Sequence, residues 1–111
     1  MSWNRFGKFN ARKVREDNYL FDSKTEHKRY LELKLLIHAK EIADLQVHPV
    51  FDLIVHEKLI CRYEADFGYF DKSVSRMVYE DVKGHPMPEF KLKLKLFKVL
   101  HPDKELRILQ A

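Results

Sequence analysis

Residues 74–86 read VSRMVYEDVKGHP, and this stretch decides the predicted fold. Its valines and tyrosine favour a strand over 74–83, and the Gly-His-Pro that follows ends it. Side chains alternate along a strand, so Asp81 and Lys83 point to one face, with their Cα atoms about 6.6 Å apart. A carboxylate and an ammonium group are thus predicted to share one small area, and Glu80 is expected to face away from them.

Two more strands are predicted before this one. Residues 50–55, VFDLIV, are rich in β-branched and aromatic side chains, and residues 61–70, CRYEADFGYF, alternate between apolar and polar positions. The Asp-Lys-Ser sequence at 71–73 suits a hairpin turn, so the three strands are expected to form an antiparallel meander. In that meander Asp66 can lie beside Asp81 if the pairing register allows it.

A helix is predicted to begin at Ser23. Ser23 and Glu26 have the spacing of a capping box, in which the Ser23 side chain accepts from the Glu26 backbone N–H and the Glu26 side chain reaches back. The helix is expected to run to about Lys40. One face carries apolar residues at steps of three and four, namely Tyr30, Leu33 and Ile37, with Leu36 beside them. Glu26 therefore lies at the end of the buried face.

Residues 88–102 support two interpretations. Strict alternation over 90–96, FKLKLKL, is typical of a strand, whereas the proline at each end and a helical period of apolar residues favour a helix. The distance between the two prolines suits a helix better, so a helix is predicted. A short last strand at 106–109 completes an α/β fold in the order α-β-β-β-α-β, within one domain over 21–111.

The composition is that of one small globular domain. The chain has 111 residues, of which 45% are hydrophobic and 34% are charged, so it can fold around a single core. Cys61 is its one cysteine, which excludes a disulfide framework and a thiolate zinc site and fits a reducing, intracellular setting. No apolar run approaches the roughly 20 residues that span a bilayer, and the first residues contain no apolar signal segment. We therefore expect a protein that is neither secreted nor inserted in a membrane.

Two basic clusters bracket the acidic middle of the chain, and the formal net charge of +4 favours an anionic partner. Residues 1–20 are predicted to be an irregular basic arm. The candidate DNA contacts lie in this arm and at the start of the first helix: Arg5, Lys8, Arg12, Lys13, Arg15 and Lys24. The sequence does not decide whether the second cluster contacts DNA: Lys91, Lys93, Lys95 and Lys98. Either cluster alone is also compatible with an ordinary solvated face.

The acids and the lysine form a candidate metal centre. Asp66 and Asp81 offer carboxylate oxygens to one hard cation, and Mg²⁺ needs few protein ligands besides waters and substrate phosphate. The carbonyl of Val82 is the expected third ligand. Glu26 is expected to bind the metal directly or to hold one of its waters. Lys83 is expected to orient or help deprotonate the attacking water and to stabilise the charged transition state.

Each of these residues also has an ordinary structural explanation. Glu26 can serve only as the capping partner, Asp66 can be an exposed strand acid, and Asp81 with Lys83 can form a weak salt bridge. Glu80 is an alternative ligand. The six histidines show no metal-ligand spacing and are expected at the surface or in the core.

The chain resembles the PD-(D/E)XK nuclease superfamily. The resemblance rests on three stretches in their order and spacing: FDSKTE at 21–26, ADF at 65–67, with Ala65 where the superfamily name has Pro, and EDVKG at 80–84. It covers about residues 21–109. Within the superfamily, the chain is similar to a family of small phage proteins, whose closest functional relatives are archaeal-type Holliday-junction resolvases.

This resemblance implies a restriction-endonuclease-like core with a central mixed sheet and a catalytic set of Glu26, Asp66, Asp81 and Lys83. It implies an Mg²⁺-dependent homodimer, with Mn²⁺ as a substitute, that binds four-way or branched DNA and nicks two opposed strands. Such a phage protein is expected to act in the cytoplasm of its bacterial host. Two alternatives stay open: another nicking, repair or flap endonuclease with the same centre, and a non-catalytic DNA-binding or packaging accessory protein.

The second helix is the predicted dimer surface. Its large apolar residues are too many for one buried stripe, so one set is expected to face the sheet and another a partner: Phe90, Leu92, Leu94, Leu96, Phe97 and Leu100. The alternative is that the extra leucines lie at the margin of the core.

Overall fold

The computed structural model describes residues 13–110, which form eight strands and two helices. The strands are β1 (Val14–Glu16), β2 (Tyr19–Phe21), β3 (Ile42–Val47), β4 (Val50–Val55), β5 (Lys58–Glu64), β6 (Phe67–Asp71), β7 (Arg76–Lys83) and β8 (Glu105–Gln110). The helices are α1 (Lys24–His38) and α2 (Pro88–Leu100). Neither helix is long and apolar enough to cross a membrane, within this described part of the chain.

A four-stranded sheet forms the centre of the fold, with the strand order β3-β6-β7-β8. β6 pairs antiparallel with β3 and β7, whereas β7 and β8 pair parallel, with Asp81 opposite Ile108. A parallel pair needs a long crossover connection, and α2 lies in it. The helices and the strands of this sheet therefore follow the predicted order α-β-β-β-α-β, and both the α/β class and the mixed sheet are confirmed.

The predicted three-stranded meander is wrong. Residues 50–55 do form a strand, β4, but β4 pairs with β5 in a separate hairpin, and β3 takes the expected place in the central sheet. Residues 43–47 of β3 alternate between partly buried apolar and exposed polar side chains, a signal that was not used to predict a strand here. The strand is also irregular, since Asp44 has a φ of 56° and the register with β6 shifts between Ala43 and Gln46.

The single strand predicted over 61–70 is also wrong, because Ala65 and Asp66 interrupt it and divide it into β5 and β6. The Ala65 N–H donates to the Pro49 carbonyl at 3.0 Å, and the Asp66 N–H donates to the Glu80 carbonyl at 2.9 Å. The alternating apolar side chains are buried, as expected, but in two different clusters: Tyr63 and Ala65 in one, Phe67 and Tyr69 in the other.

Two clusters of buried side chains hold the elements together. The first packs α1 and β2 on one face of the sheet, and it includes Phe21, Tyr30, Leu33, Phe67 and Val78. The second lies between the other face, the β4–β5 hairpin and α2, and it includes Leu53, Tyr63, Tyr79 and Phe97. The prediction for Ile37 is wrong: it lies in the last turn of α1 and is 38% exposed, whereas Leu36 packs against the first cluster.

Residues 14–20, predicted to belong to an irregular arm over 1–20, form the β1–β2 hairpin together with Phe21. Asp17 and Asn18 have φ values of 53° and 68°, the backbone of a two-residue type I′ turn, which Asp and Asn tolerate. The hairpin is fixed to α1, because the Tyr30 hydroxyl and the Lys34 ammonium each donate to Asp17 at 2.6 Å. The local turn chemistry therefore outweighs the lack of periodicity.

The second helix and the last strand are confirmed as α2 and β8. Pro88 lies in the first turn of α2, where its missing N–H leaves no hydrogen bond unmade. Most of the apolar residues predicted to divide between core and partner in fact line the core: Phe90, Leu94, Leu96, Phe97 and Leu100. Leu92 is 68% exposed. The extra leucines of α2 are thus mainly the margin of the core, which was the alternative interpretation.

Candidate metal centre

β7 places two neighbouring acids on opposite faces of the central sheet. Glu80 and Asp81 are both fully buried, with 0% of each residue exposed. On the α1 face, Arg29 donates from Nε and Nη2 to the two oxygens of Glu80, at 2.8 and 2.7 Å, and the Tyr69 hydroxyl donates to the same carboxylate. Glu80 therefore faces away from Asp81, as predicted, and its charge is neutralised by an arginine.

Asp81 points to the opposite face, where its carboxylate is only half satisfied. The Tyr63 hydroxyl of β5 donates to Asp81 Oδ2, whereas the buried Oδ1 has no hydrogen-bond partner among residues 13–110. The pKa of the Asp81 carboxyl is raised to about 7, chiefly by burial; the Tyr63 hydrogen bond opposes this shift and the charge of Asp66 adds to it. A buried carboxylate oxygen without a partner is costly, and a bound cation would remove that cost.

Asp66 lies in the break between β5 and β6 and is bonded to β7 on both sides of Asp81. Its backbone N–H donates to the Glu80 carbonyl at 2.9 Å, and its Oδ2 accepts from the Val82 N–H at 2.7 Å. Glu80 and Val82 are the chain neighbours of Asp81. The structure therefore brings Asp66 beside Asp81, as the sequence predicted. Asp66 lies in the two-residue connection between β5 and β6, however, and not within a continuous strand.

Glu26 enters from the first turn of α1. The Ser23 hydroxyl accepts from the Glu26 N–H at 3.1 Å, which confirms the predicted cap, but the Glu26 side chain accepts from the Asp22 N–H at 2.8 Å, one residue beyond the expected partner. Only 3% of Glu26 is exposed, and burial is the main cause that raises the pKa of its carboxyl to about 7. The charge of Asp66 contributes to the same shift, so these two acids are close neighbours.

His48 is a member of the centre that the sequence did not indicate. Its Nε2 lies 3.0 Å from Glu26 Oε2, and its backbone N–H donates to the Asp66 carbonyl at 2.9 Å. One residue thus contacts both acids. The residue follows β3, and because that strand was not predicted, no sequence signal separated His48 from the other histidines.

Lys83 lies two residues after Asp81 on the same face of β7, as predicted. Its Nζ is 4.8 Å from the centroid of the Phe90 ring at the start of α2. The positive charge of Lys83 lowers the pKa of Asp81, against the larger effect of burial, so the ammonium is close enough to interact with that carboxylate. The Lys83 ammonium thus contacts the Phe90 ring and lies near the buried Asp81, and it could also bind a negatively charged group.

These groups fit a hard cation. All the candidate ligands are oxygens, and one of them, Asp81 Oδ1, has no other partner among the described residues. Mg²⁺ takes one or two protein carboxylates and keeps several waters. No three His, Cys, Asp or Glu side chains within residues 13–110 are arranged to hold a metal by themselves. The candidate set has only two acid side chains, Asp66 and Asp81, with the Val82 carbonyl as a third ligand, and Glu26 lies near Asp66.

The basic residues are only partly within the described chain. Lys13, Arg15 and Lys24 are exposed, whereas the arm positions Arg5, Lys8 and Arg12 lie outside residues 13–110. In the second cluster, Lys91, Lys95 and Lys98 are exposed on α2 and Lys93 is half-buried. A cleft of about 160 Å³ lies between α1 and the ends of β7 and β8, and its lining includes Thr25, Lys28, Val82 and Gln110.

Comparison with known proteins identifies the family and goes no further. The chain matches no curated protein and no solved structure at a significant level. One family model matches residues 6–111, which is nearly the whole chain. The chain therefore belongs to the family described as "Protein of unknown function (DUF1064)".

Proposed function

We propose that this protein is a metal-dependent endonuclease that hydrolyses phosphodiester bonds in DNA. The observation that carries the proposal is the Asp81 carboxylate: it is fully buried, one of its oxygens has no partner among the described residues, and Asp66 lies beside it. A protein that only bound DNA would have no need for two acids close to an anionic backbone. A Mg²⁺ ion, or Mn²⁺ in its place, would supply charge neutralisation at the phosphate and a more acidic water.

Each residue of the centre has its own task in this proposal. Asp66, Asp81 and the Val82 carbonyl would hold the cation, and Glu26 would bind it or hold one of its waters. Lys83 would donate to the attacking water or to a phosphate oxygen, where it would stabilise the negative charge that develops during the reaction. Its place on the same face of β7 as Asp81, with the ammonium on the Phe90 ring, supports this role.

The DNA backbone would approach the end of β7, where Lys83 lies on the Asp81 face and the exposed Lys24 lies nearby at the start of α1. The cleft that contains Thr25, Lys28 and Gln110 lies on the other face of β7, next to Val82, and would bind phosphates away from the metal. Together with the basic arm, these cations would bind phosphates without reading base sequence. The net charge of +4 is consistent with an anionic partner.

Four-way or branched DNA is the substrate that we propose, on the strength of the resemblance to the resolvases. A junction must be cut at two positions related by symmetry, and a two-fold homodimer is the commonest way to present two identical centres. The host cytoplasm, where a phage enzyme would meet recombining DNA, is the corresponding location. Another nicking or repair endonuclease with the same centre is the alternative, because the shape of the substrate is not read by the metal site.

For the dimer contact we propose the groove between β5 and α2 instead of a second face of α2 alone. This groove of about 220 Å³ is lined by four apolar or sulfur-containing residues, Ile60, Cys61, Leu92 and Leu96, and by the charged Glu89 and Lys93. Ile60 is 57% exposed and Leu92 is 68% exposed. A two-fold axis places a patch against its own copy, so Glu89 of each chain could pair with Lys93 of the other while the apolar residues meet.

A substrate panel tests the function. Labelled duplex, flap, fork and four-way DNA of matched length would be incubated with the protein, with Mg²⁺ or with a chelator. We expect cleavage that requires the metal and is fastest on the four-way substrate. Metal-dependent nicking of every substrate at the same rate would support a general endonuclease and contradict the resolvase function. Binding without any cleavage would support a DNA-binding accessory protein.

A further inference from the structure

Two buried tyrosines donate to the two neighbouring acids of β7, one from each side of the sheet. Tyr69 donates to Glu80, whose oxygens also receive two bonds from Arg29. Tyr63 donates to Asp81 Oδ2, and Asp81 Oδ1 has no partner among residues 13–110. The two sides differ in one respect: Glu80 is fully neutralised, whereas Asp81 has one occupied oxygen and one unoccupied oxygen.

The hydrogen bond from Tyr63 restricts how Asp81 can bind a cation. With Oδ2 accepting from the tyrosine, one lone pair of that oxygen is occupied, which disfavours a bidentate contact and favours binding through Oδ1 alone. The tyrosine cannot easily turn away, because it is 1% exposed and its ring packs against Phe97 with the centroids 5.3 Å apart. Burial also raises the pKa of the Tyr63 hydroxyl, so that it remains a donor.

The two relevant cations differ in what they require. Mg²⁺ is small, demands near-octahedral geometry and binds through one or two carboxylates, whereas Ca²⁺ accepts six to eight oxygens and often takes both oxygens of one carboxylate. A carboxylate that is limited to one oxygen therefore favours the smaller ion.

We propose that Tyr63 is a positioning residue that limits Asp81 to one metal-binding oxygen and thereby sets the preference of the centre for Mg²⁺ and Mn²⁺ over Ca²⁺. This inference rests on the proposed metal centre at Asp81. It also gives the β4–β5 hairpin, which stands outside the central sheet, a task in the site, since Tyr63 is delivered from β5.

The test is a calorimetric titration of the full-length protein with Mn²⁺ alone and with Ca²⁺ alone, without DNA. Tyr63→Phe removes the hydroxyl, and Tyr69→Phe is the matched control, because it removes the same group from the neighbouring acid on the other face. Loss of an outer-shell partner typically weakens metal affinity 10–100-fold. We expect Tyr63→Phe to weaken Mn²⁺ binding by about tenfold or more, with little loss or a gain for Ca²⁺, and Tyr69→Phe to keep the wild-type ratio.

The outcomes separate this inference from the proposed function. If the wild type binds Mn²⁺ and Asp81→Asn does not, but Tyr63→Phe keeps the wild-type ratio of the two affinities, the role of Tyr63 is wrong and the metal centre stands. If the wild type binds neither ion, the metal centre itself is wrong. Should Tyr63→Phe unfold at the assay temperature, 3-fluorotyrosine at position 63 provides a stronger donor. The ratio of Mn²⁺ to Ca²⁺ affinity should then rise, and an unchanged ratio would contradict the proposal.

Discussion

The Val82 N–H donates to Asp66 Oδ2 at 2.7 Å, and this bond ties an acid in the break between β5 and β6 to the strand that carries Asp81. Because the Asp66 N–H also donates to the Glu80 carbonyl at 2.9 Å, Asp66 is bonded on both sides of Asp81. Asp66 is thus held beside Asp81 by two hydrogen bonds to the backbone of β7, which gives the candidate centre a rigid frame.

Substitutions within the centre should separate catalysis from DNA binding. We expect Asp81→Asn, Asp66→Asn and Lys83→Ala each to lower the cleavage rate by about two to three orders of magnitude or more. Affinity for DNA should change little, because it depends mainly on Lys and Arg contacts to phosphates. Asp71→Asn is the control, since that acid is bound to Ser73 and Arg107 at the other end of β6. Full activity of Asp81→Asn would show that the site assignment is wrong.

The stability of the metal-free protein should depend on pH through the buried acids. The folded-state pKa values of Asp81 and Glu26 are both about 7, above the ordinary values of 3.8 and 4.5. Their contribution to the free energy of unfolding is therefore fully present below about pH 4 and is lost as the pH rises through 7. The reason is that the unfolded chain loses these protons at a lower pH than the folded chain does.

Melting temperatures of the wild type and of Asp81→Asn, measured from pH 4 to pH 8 in a chelator, test this expectation. The wild type should lose roughly 5 °C or more relative to the variant over this range, because the asparagine cannot ionise. Adding Mn²⁺ above pH 7 should raise the wild-type melting temperature and leave the variant unchanged. Parallel curves for the two proteins would mean that the Asp81 carboxyl titrates at its ordinary pKa.

The ion pair between Arg29 and Glu80 should matter more for stability than for catalysis. Arg29→Ala leaves a fully buried carboxylate without its charge partner, which typically costs 3–5 kcal/mol. Urea denaturation would measure the loss. Arg62→Ala, which removes an exposed pair with Asp52 on the β4–β5 hairpin, should leave stability nearly unchanged. Equal losses for the two variants would mean that Glu80 does not depend on Arg29.

The basic arm should contribute to the salt dependence of DNA binding. Deleting residues 1–12 removes Arg5, Lys8 and Arg12 and keeps the β1–β2 hairpin, which is bonded to α1 through Asp17. Each lost phosphate contact should reduce the slope of log affinity against log salt by about 0.9, so three contacts would reduce it by about 2.7. Fluorescence anisotropy at several salt concentrations gives the slope. An unchanged slope would show that the arm does not contact phosphates.

The proposed dimer can be tested by its mass in sedimentation. We expect a dimer at micromolar concentration, and we expect Leu92→Asp and Ile60→Asp to convert it to a monomer, because a charge in the apolar groove opposes the contact. Leu35→Asp is the matched control, since Leu35 is 70% exposed on α1, away from the groove. If Leu35→Asp breaks the dimer and Leu92→Asp does not, the contact lies on α1.

The part of the centre that lies on regular elements could be predicted from the sequence. The cap at Ser23 and the alternation of β7 depend on local chemistry, and these features place Glu26, Asp81 and Lys83. The turn at Asp17 and Asn18 is equally local, but its residues carry no hydrophobic periodicity.

The residues that complete the centre depend on long-range packing. Tyr63 reaches Asp81 from the β4–β5 hairpin, which lies outside the central sheet, and His48 reaches Glu26 from the position after β3. The separation of the hairpin has no periodic signal, and the alternation over 43–47 does not show which strand β3 pairs with. The contacts of Tyr63 and His48 therefore became visible only in the three-dimensional structure.

The most direct test of the central claim is a cleavage assay on labelled four-way DNA with the wild type and Asp81→Asn, each with Mg²⁺ and with a chelator. We expect paired nicks in opposed strands from the wild type with Mg²⁺, and no product in the other three reactions, although both proteins bind the junction. Product formed equally by Asp81→Asn, or by the wild type in the chelator, would contradict a metal-dependent nuclease centred on Asp81.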